Sequence, residues 1–269
     1  MEKKQCWIFT AMVVCGSLLL TDCSGGGGLS GGPASAGTST VAFDDEFNGS
    51  SLDTTQWVAM DRPGDSSNSE LQYYLPSNVA LSNGLLNITS KVDSSVPGYN
   101  YTSAMVQWKS FNFTYGTIEV RARMAGGQGP WPAIWFLGYN CQQSNVNSAN
   151  NVPPCSWPDP GSDEIDFVEI LSSDQTSVNQ GIHSNGNNGH CSAAVSDVSQ
   201  NWHIYTLIWA AGSLTWKIDG VTTCQLTSGV PTTPMFLLIN TAMGGSGGSV
   251  NNSTLPQTMS VDYVRITPP

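Results

Sequence analysis

Gly116-Thr-Ile-Glu-Val-Arg-Ala-Arg-Met124 decides the fold class. Ile118, Val120, Ala122 and Met124 fall on one side of an extended chain, and Glu119, Arg121 and Arg123 fall on the other. Strict period-two alternation is the pattern of an antiparallel strand with one face on a core and one toward water. Thr215-Trp-Lys-Ile218, Asp219-Gly220 and Val221-Thr-Thr-Cys224 read as a hairpin closed by a two-residue turn, because Asp-Gly tolerates the positive φ that such a turn requires. Further short runs rich in β-branched and aromatic residues lie near 79–91, 101–108, 132–138, 164–171, 178–184, 203–210, 235–242 and 259–266. After Val41 no stretch sustains a helical period. About a dozen short strands with no internal repeat predict an all-β, two-sheet antiparallel sandwich in a single domain.

Composition narrows the function. The 269 residues carry 9 Lys and Arg against 20 Asp and Glu, for a net charge of −11, and only 11% of residues are charged. That balance opposes nucleic acid or an anionic membrane surface as a partner. With 9 Trp and few charges, the chain suits a neutral, hydroxyl-rich ligand.

The first residues read as an address. Lys3 and Lys4 precede an apolar run from Cys6 to Leu20, shorter than the roughly 20 apolar residues of a membrane span, so 1–22 is expected to be a secretory signal. Cys23, followed by Ser24 and four glycines, resembles the lipidated cysteine of a bacterial lipoprotein signal. Residues 23–40 are a Gly- and Ser-rich tether, and 41–269 the folded domain. The expected location is outside the cell, secreted or lipid-anchored on the bacterial envelope through Cys23, as a monomer. Four cysteines remain past Cys23: Cys141, Cys155, Cys191 and Cys224. Three pairings are possible. Cys141–Cys155, closing a Pro- and Asn-rich loop, and Cys191–Cys224 are favoured.

Asp163-Glu-Ile-Asp-Phe-Val-Glu-Ile170 is an odd stretch for a sandwich. In a regular strand Glu164 and Asp166 share a face and Glu169 points the other way. One extra residue in a β-bulge would return Glu169 to their side. Three acids would then line one cleft, and two carboxyls about 5–5.5 Å apart suit a retaining glycoside hydrolase. Crowding and burial would hold them in different protonation states. A solvated acidic edge or a calcium site is the competing reading, and Ile165, Phe167 and Ile170 argue against simple solvation.

Glu164-Ile-Asp-Phe-Val-Glu169 resembles the bulged signature of glycoside hydrolase family 16, in its laminarinase-like form. Other blocks match in order: Phe43-Asp-Asp-Glu-Phe-Asn48 with Trp57, Tyr101-Thr-Ser103, Phe113-Thr-Tyr-Gly116, Gly129-Pro-Trp-Pro-Ala-Ile-Trp135, His183, Trp202 to Trp209, Ile218-Asp-Gly220, Pro234 to Asn240 and Val261-Asp-Tyr-Val-Arg265. The resemblance implies a concanavalin A-like jelly roll with a cleft across its concave sheet. It implies Glu164 as nucleophile, Asp166 as assisting acid and Glu169 as general acid/base. It further implies Trp131 and Trp135 as sugar-stacking aromatics, and His183 and Asn48 as substrate contacts. No catalytic cofactor is expected. A structural calcium is implied, held by Asp262 with carbonyls near Gly84 and Glu46, an oxygen set of the kind that calcium takes.

The expected activity is endo-acting hydrolysis of a polysaccharide, β-1,3- or mixed β-1,3/1,4-glucan. Met105 stands where many β-1,3-glucan hydrolases of the family carry an arginine, which leaves agar, carrageenan or another galactan open, as well as transglycosylation. A non-catalytic glycan-binding sandwich is opposed by the three acids, since binding needs no carboxylate pair. Two Gly-x-Ser-x-Gly matches, at 28–32 and 244–248, have no strand-to-helix elbow around them and do not indicate a serine hydrolase.

Overall fold

The alternation of 116–124 becomes a strand whose Ile118, Val120 and Ala122 are fully buried, while Glu119, Arg121 and Arg123 stay partly open. The computed structural model describes residues 41–109, 111–142, 156–171 and 175–269. The expected signal and tether (1–40) and Cys155 lie outside the described residues. Numbered along the chain, the strands are β1 (Phe43–Asp45), β2 (Trp57–Ala59), β3 (Arg62–Pro63), β4 (Gln72–Tyr74), β5 (Val79–Ser82), β6 (Leu85–Val92), β7 (Tyr101–Ser103), β8 (Met105–Trp108), β9 (Gly116–Arg123), β10 (Pro130–Gly138), β11 (Glu164–Glu169), β12 (Ser177–His183), β13 (His190–Ala194), β14 (His203–Ala210), β15 (Ser213–Ile218), β16 (Val221–Leu226), β17 (Met235–Met243) and β18 (Gln257–Thr267). Among the described residues the helical elements are short 3-10 turns.

Two sheets form. One has 11 strands in the order β16-β15-β14-β9-β18-β6-β7-β4-β3, with β1 on β18 and β5 on β6; the other has 7, in the order β13-β12-β11-β10-β17-β8-β2. The central ladders are antiparallel, and β4 with β7 is parallel. This is the jelly-roll sandwich. Between the sheets lie Trp57, Trp108, Trp209, Trp216, Phe136, Phe167 and Phe236, all essentially without solvent contact. Trp57 still finds a partner for its indole N–H, which donates to Asp45 Oδ2 at 2.8 Å. β17 is buried along its whole length, its apolar run Met235–Ile239 continuing into Asn240 and Thr241, as suits a central strand of the sheet.

The structure refines the strand reading. The run at 79–91 is a hairpin, β5–β6, turning on Asn83 (φ 55°) and Gly84 (φ 72°). The run at 101–108 is interrupted at Ala104: β7 stays with the larger sheet while β8 joins the smaller one. Asp219-Gly220 makes the expected tight turn, with φ of 50° and 81°. β13 escaped pattern reading because His190-Cys-Ser-Ala-Ala194 is a largely exposed edge without apolar alternation.

Cys191 and Cys224 are bonded, with Cα atoms 5.7 Å apart. They join β13 to β16, the edge strands of the two different sheets, so this disulfide fastens one side of the sandwich. Closing a 33-residue separation contributes on the order of 3–4 kcal/mol in the chain-entropy account. Cys141 is also disulfide-bonded, while its expected partner lies outside the described residues.

Candidate active site

Cross-strand register shows how one strand presents three acids together. Against β12, Glu164 stands opposite His183 and Asp166 opposite Gly181, but Glu169 opposite Asn179, a slip of one residue. The same slip occurs against β10, where Trp135 faces Asp166 and Ala133 faces Glu169. The bulge turns Phe167 and Val168 both into the core, at 0% exposure each, and returns Glu169 to the side of Glu164 and Asp166. Asp163, just before the strand, is buried and accepts from Ser184 Oγ at 2.5 Å and Gly161 N at 2.9 Å, which ties the approach loop to β12.

The two outer acids each receive an indole N–H. Trp131 Nε1 donates to Glu169 Oε1 at 2.7 Å, and Trp157 Nε1 donates to Glu164 Oε2 at 2.7 Å. Burial pushes Glu164 up to about 7, opposed by hydrogen bonds from Asp166 and Trp157. Burial and the neighbouring charges of Glu164 and Glu169 hold Asp166 well above the usual carboxylate range. The hydrogen bond between Glu164 and Asp166 lowers the first and raises the second, so the shared proton rests on Asp166 and Glu164 bears the charge. Burial also raises Glu169, while the Trp131 N–H works against it. Asp166 thereby holds a proton against Glu164 and favours the charged form of that neighbour, while burial favours the protonated form of Glu169.

Rows across the seven-stranded sheet build the floor. One row runs Glu169, Ala133, Asn240, Met105 from β11 through β10 and β17 to β8. The small Ala133 leaves room between carboxylate and amide. The next row runs Asp166, Trp135, Leu238, Gln107. Trp135 Nε1 donates to Asn240 Oδ1 at 2.7 Å, and Asn240 in turn donates to Tyr74 Oη at 3.1 Å. Trp135 is partly buried against the core and partly open to the cleft. His183 lies beside the acids, its Nε2 3.5 Å from Asp166 Oδ2. Burial, then His190, lowers its pKa, which keeps the ring neutral. At Met105 a guanidinium is supplied from elsewhere: Arg62 Nη2 is 3.5 Å from Met105 Sδ.

Of the expected contacts, the structure brings Trp131, Trp135 and His183 to the three acids and does not bring Asn48. Asn48 is exposed, and its Oδ1 lies beside the Gly84 turn, 3.3 Å from where a Cβ on Gly84 would stand. That turn belongs to the other sheet, because Asn48 follows β1, which pairs with β18 there. The asparagine in the row with Glu169 is Asn240. Sequence reasoning quoted Asn240 only as the end of a matching block and gave it no site role. It also missed Trp157, 49% exposed yet bonded to Glu164; a tryptophan in a Pro-, Asp- and Ser-rich loop just before the acid strand was the available signal.

The three residues read as calcium ligands do converge. β18 pairs with β6 at Val261–Leu86 and with β1 at Val264–Asp45, which sets Asp262 next to the Gly84 turn and the end of β1. Arg121 Nη1 holds Asp262 Oδ2 at 2.5 Å, and Arg265 holds the Glu46 carboxylate. Backbone carbonyls and a carboxylate are oxygen donors of the hard kind that calcium takes, and the Asp262 carboxylate is paired with Arg121.

Comparisons with known proteins bear on the family and the fold. A protein-family model described as glycosyl hydrolases family 16 matches residues 67–265. The endo-1,3-1,4-beta-glycanase ExsH of Rhizobium meliloti (strain 1021) is 30% identical over 253 residues, covering 83% of this chain and 50% of that protein. The glucan endo-1,3-beta-glucosidase A1 of Niallia circulans is 31% identical over 276 residues, covering 87% and 38%. The chain therefore spans half or less of the length of these two relatives. Among solved structures, LamA of Z. galactanivorans in complex with laminaritriose and laminaritetraose superposes with a TM-score of 0.75 at 30% identity, covering 85% of this chain and 98% of that one. With the bulged acid strand, the two-sheet jelly roll and a family match over most of its length, the chain belongs to glycosyl hydrolases family 16.

Proposed function

We propose that this protein is a retaining, endo-acting hydrolase of β-1,3- or mixed β-1,3/1,4-glucan. The observation that carries the reading is the one-residue bulge that sets Glu164, Asp166 and Glu169 on one face. The relatives named for 1,3- and 1,3-1,4-glycan cleavage, and a neighbour bound to laminari-oligosaccharides, support the choice of glycan.

Glu164, charged and held by the Asp166 and Trp157 donors, attacks the anomeric carbon from the face opposite the leaving sugar. Glu169, whose pKa burial raises against the Trp131 N–H, gives its proton to the departing glycosidic oxygen. Water then enters, Glu169 takes a proton from it, and the glycosyl–Glu164 ester breaks with the original configuration restored. Trp131 and Trp135 offer indole faces to sugar C–H surfaces. Asn240, tied between Trp135 and Tyr74, holds an amide next to the acid/base.

The test is reducing-sugar release from laminarin, lichenan, agarose, carrageenan and β-galactan, with Glu164→Gln as the blank. Release from laminarin or lichenan that the variant lacks is the expected result; release only from a galactan would overturn the substrate. A further expectation concerns pH. Trp157→Phe removes a donor that favours the charged form of Glu164, so the acidic limb of the kcat/KM profile should move to higher pH by on the order of one unit. An unmoved limb would detach Trp157 from the nucleophile.

Two finer readings accompany this. Calcium held by Asp262 and the carbonyls of Gly84 and Glu46 would bind only the folded chain, so EDTA should lower Tm by a few degrees and CaCl2 restore it; an unchanged Tm would leave the Arg121–Asp262 pair as the fastening there. Export as a monomer, with Cys23 carrying lipid, is supported by the basic and apolar start of the chain. Partition of the mature protein into detergent, abolished by Cys23→Ala, tests it.

A further inference from the structure

Two of the chain's three histidines meet at one corner of the cleft. Register sets His190 opposite Gly181 and Gly181 opposite Asp166, while His183 stands opposite Glu164 on the same face. Gly181 lets the row close. A Cβ there would lie 2.4 Å from His190 Nδ1, so only a bare Cα allows the imidazole to lie across β12 toward Asp166. The two imidazole centroids are 5.1 Å apart. One ligand atom from each of Asp166, His183 and His190 lies within 4.8 Å of the others.

These distances fit a transition-metal ion. Zn–N and Zn–O bonds of about 2.0–2.2 Å at tetrahedral angles place ligand atoms roughly 3.3–3.5 Å apart. His183 Nε2 and Asp166 Oδ2 already stand 3.5 Å apart. His190, exposed on the edge strand, needs to swing in by about 1 Å to complete three ligands. The remaining ring nitrogen of His183 is 3.2 Å from Asn188 Oδ1. A proton on Nδ1 donated to that amide oxygen turns the Nε2 lone pair toward Asp166, as the orienting partners of metal-bound histidines do. Two imidazoles and one carboxylate, with positions left open to the cleft, select zinc or copper rather than calcium or magnesium.

We propose that Asp166, His183 and His190 form a zinc site whose occupancy shuts the cleft. Zinc binding releases the Asp166 proton to solvent, draws that carboxylate away from Glu164 and places a divalent charge beside the nucleophile. The inhibition rests on the hydrolase reading above; the binding does not, so the two are measured separately.

Binding is read by calorimetric titration of the full chain with ZnCl2, and inhibition by laminarin hydrolysis with and without the same zinc. Wild type is expected to bind zinc and to lose activity with it, and EDTA to restore that activity. Loss of a mere orienting partner weakens metal binding about 10–100-fold, so His190→Ala should weaken zinc by at least about tenfold. The same variant should hydrolyse normally without zinc and resist inhibition by it. His203→Ala, which alters the one histidine elsewhere, should bind as wild type does. Equal zinc affinity in wild type and His190→Ala, or no zinc binding by wild type, would overturn the site. Zinc binding that depends on His190 but leaves hydrolysis untouched would keep the site and overturn its effect on the cleft.

Discussion

Glu164→Gln is expected to lower laminarin hydrolysis by at least about a thousandfold while making the protein more stable above neutral pH. The amide cannot attack the anomeric carbon, and no neighbouring carboxylate can take its place: Asp166 holds the shared proton and Glu169 serves the leaving oxygen. The stability change follows from the raised pKa of the cluster. A carboxyl whose pKa is raised on folding contributes stability that is fully present below its unfolded value, near 4.5 for Glu164, and lost as pH climbs through the folded value of about 7. Above that point wild type carries a charge in a buried site, and glutamine does not. The gain should be on the order of 1–3 kcal/mol at pH 8 and vanish near pH 4. Thermal unfolding at the two pH values measures it; a Tm difference that is constant or larger in acid would contradict the electrostatics assigned here.

Glu169→Ala should be nearly as damaging on glucan, again by about a thousandfold, yet spare substrates that need no proton to depart. With a β-glucan aryl glycoside of low leaving-group pKa, the first step should survive and the glycosyl–enzyme should accumulate. Azide separates the two acids further. Added to Glu169→Ala, it enters the intermediate and leaves a β-glycosyl azide. Added to Glu164→Ala, it substitutes for the missing nucleophile directly and leaves an α-glycosyl azide. Reversal of the two stereochemical outcomes would exchange the roles of the acids.

Much of this architecture was legible because a buried face imposes a period. β9 announced itself through alternation, β14 through its β-branched and aromatic run, and Asp219-Gly220 through its turn chemistry. The acid strand was legible for the opposite reason: three carboxylates among core residues violate the pattern, and a single bulge resolves the violation. What escaped has little periodic signal. The edge strand β13 exposes three of its five residues. Trp157 reaches Glu164 from a loop whose course depends on Asp163 holding Gly161 and Ser184. Asn48 misled because matching a block in sequence does not say which sheet its end will join. β1 pairs with β18, and that single pairing carries Asn48 to the sheet without the acids.

The chemistry proposed is double displacement at Glu164 with Glu169 as the proton carrier. It is tested most directly by proton NMR of the anomeric centre in the first minutes of laminarin hydrolysis. The new reducing ends should appear first as the β-anomer and drift to the α/β equilibrium by mutarotation. Initial appearance of the α-anomer would contradict it, since single displacement by water needs no carboxylate nucleophile on the strand.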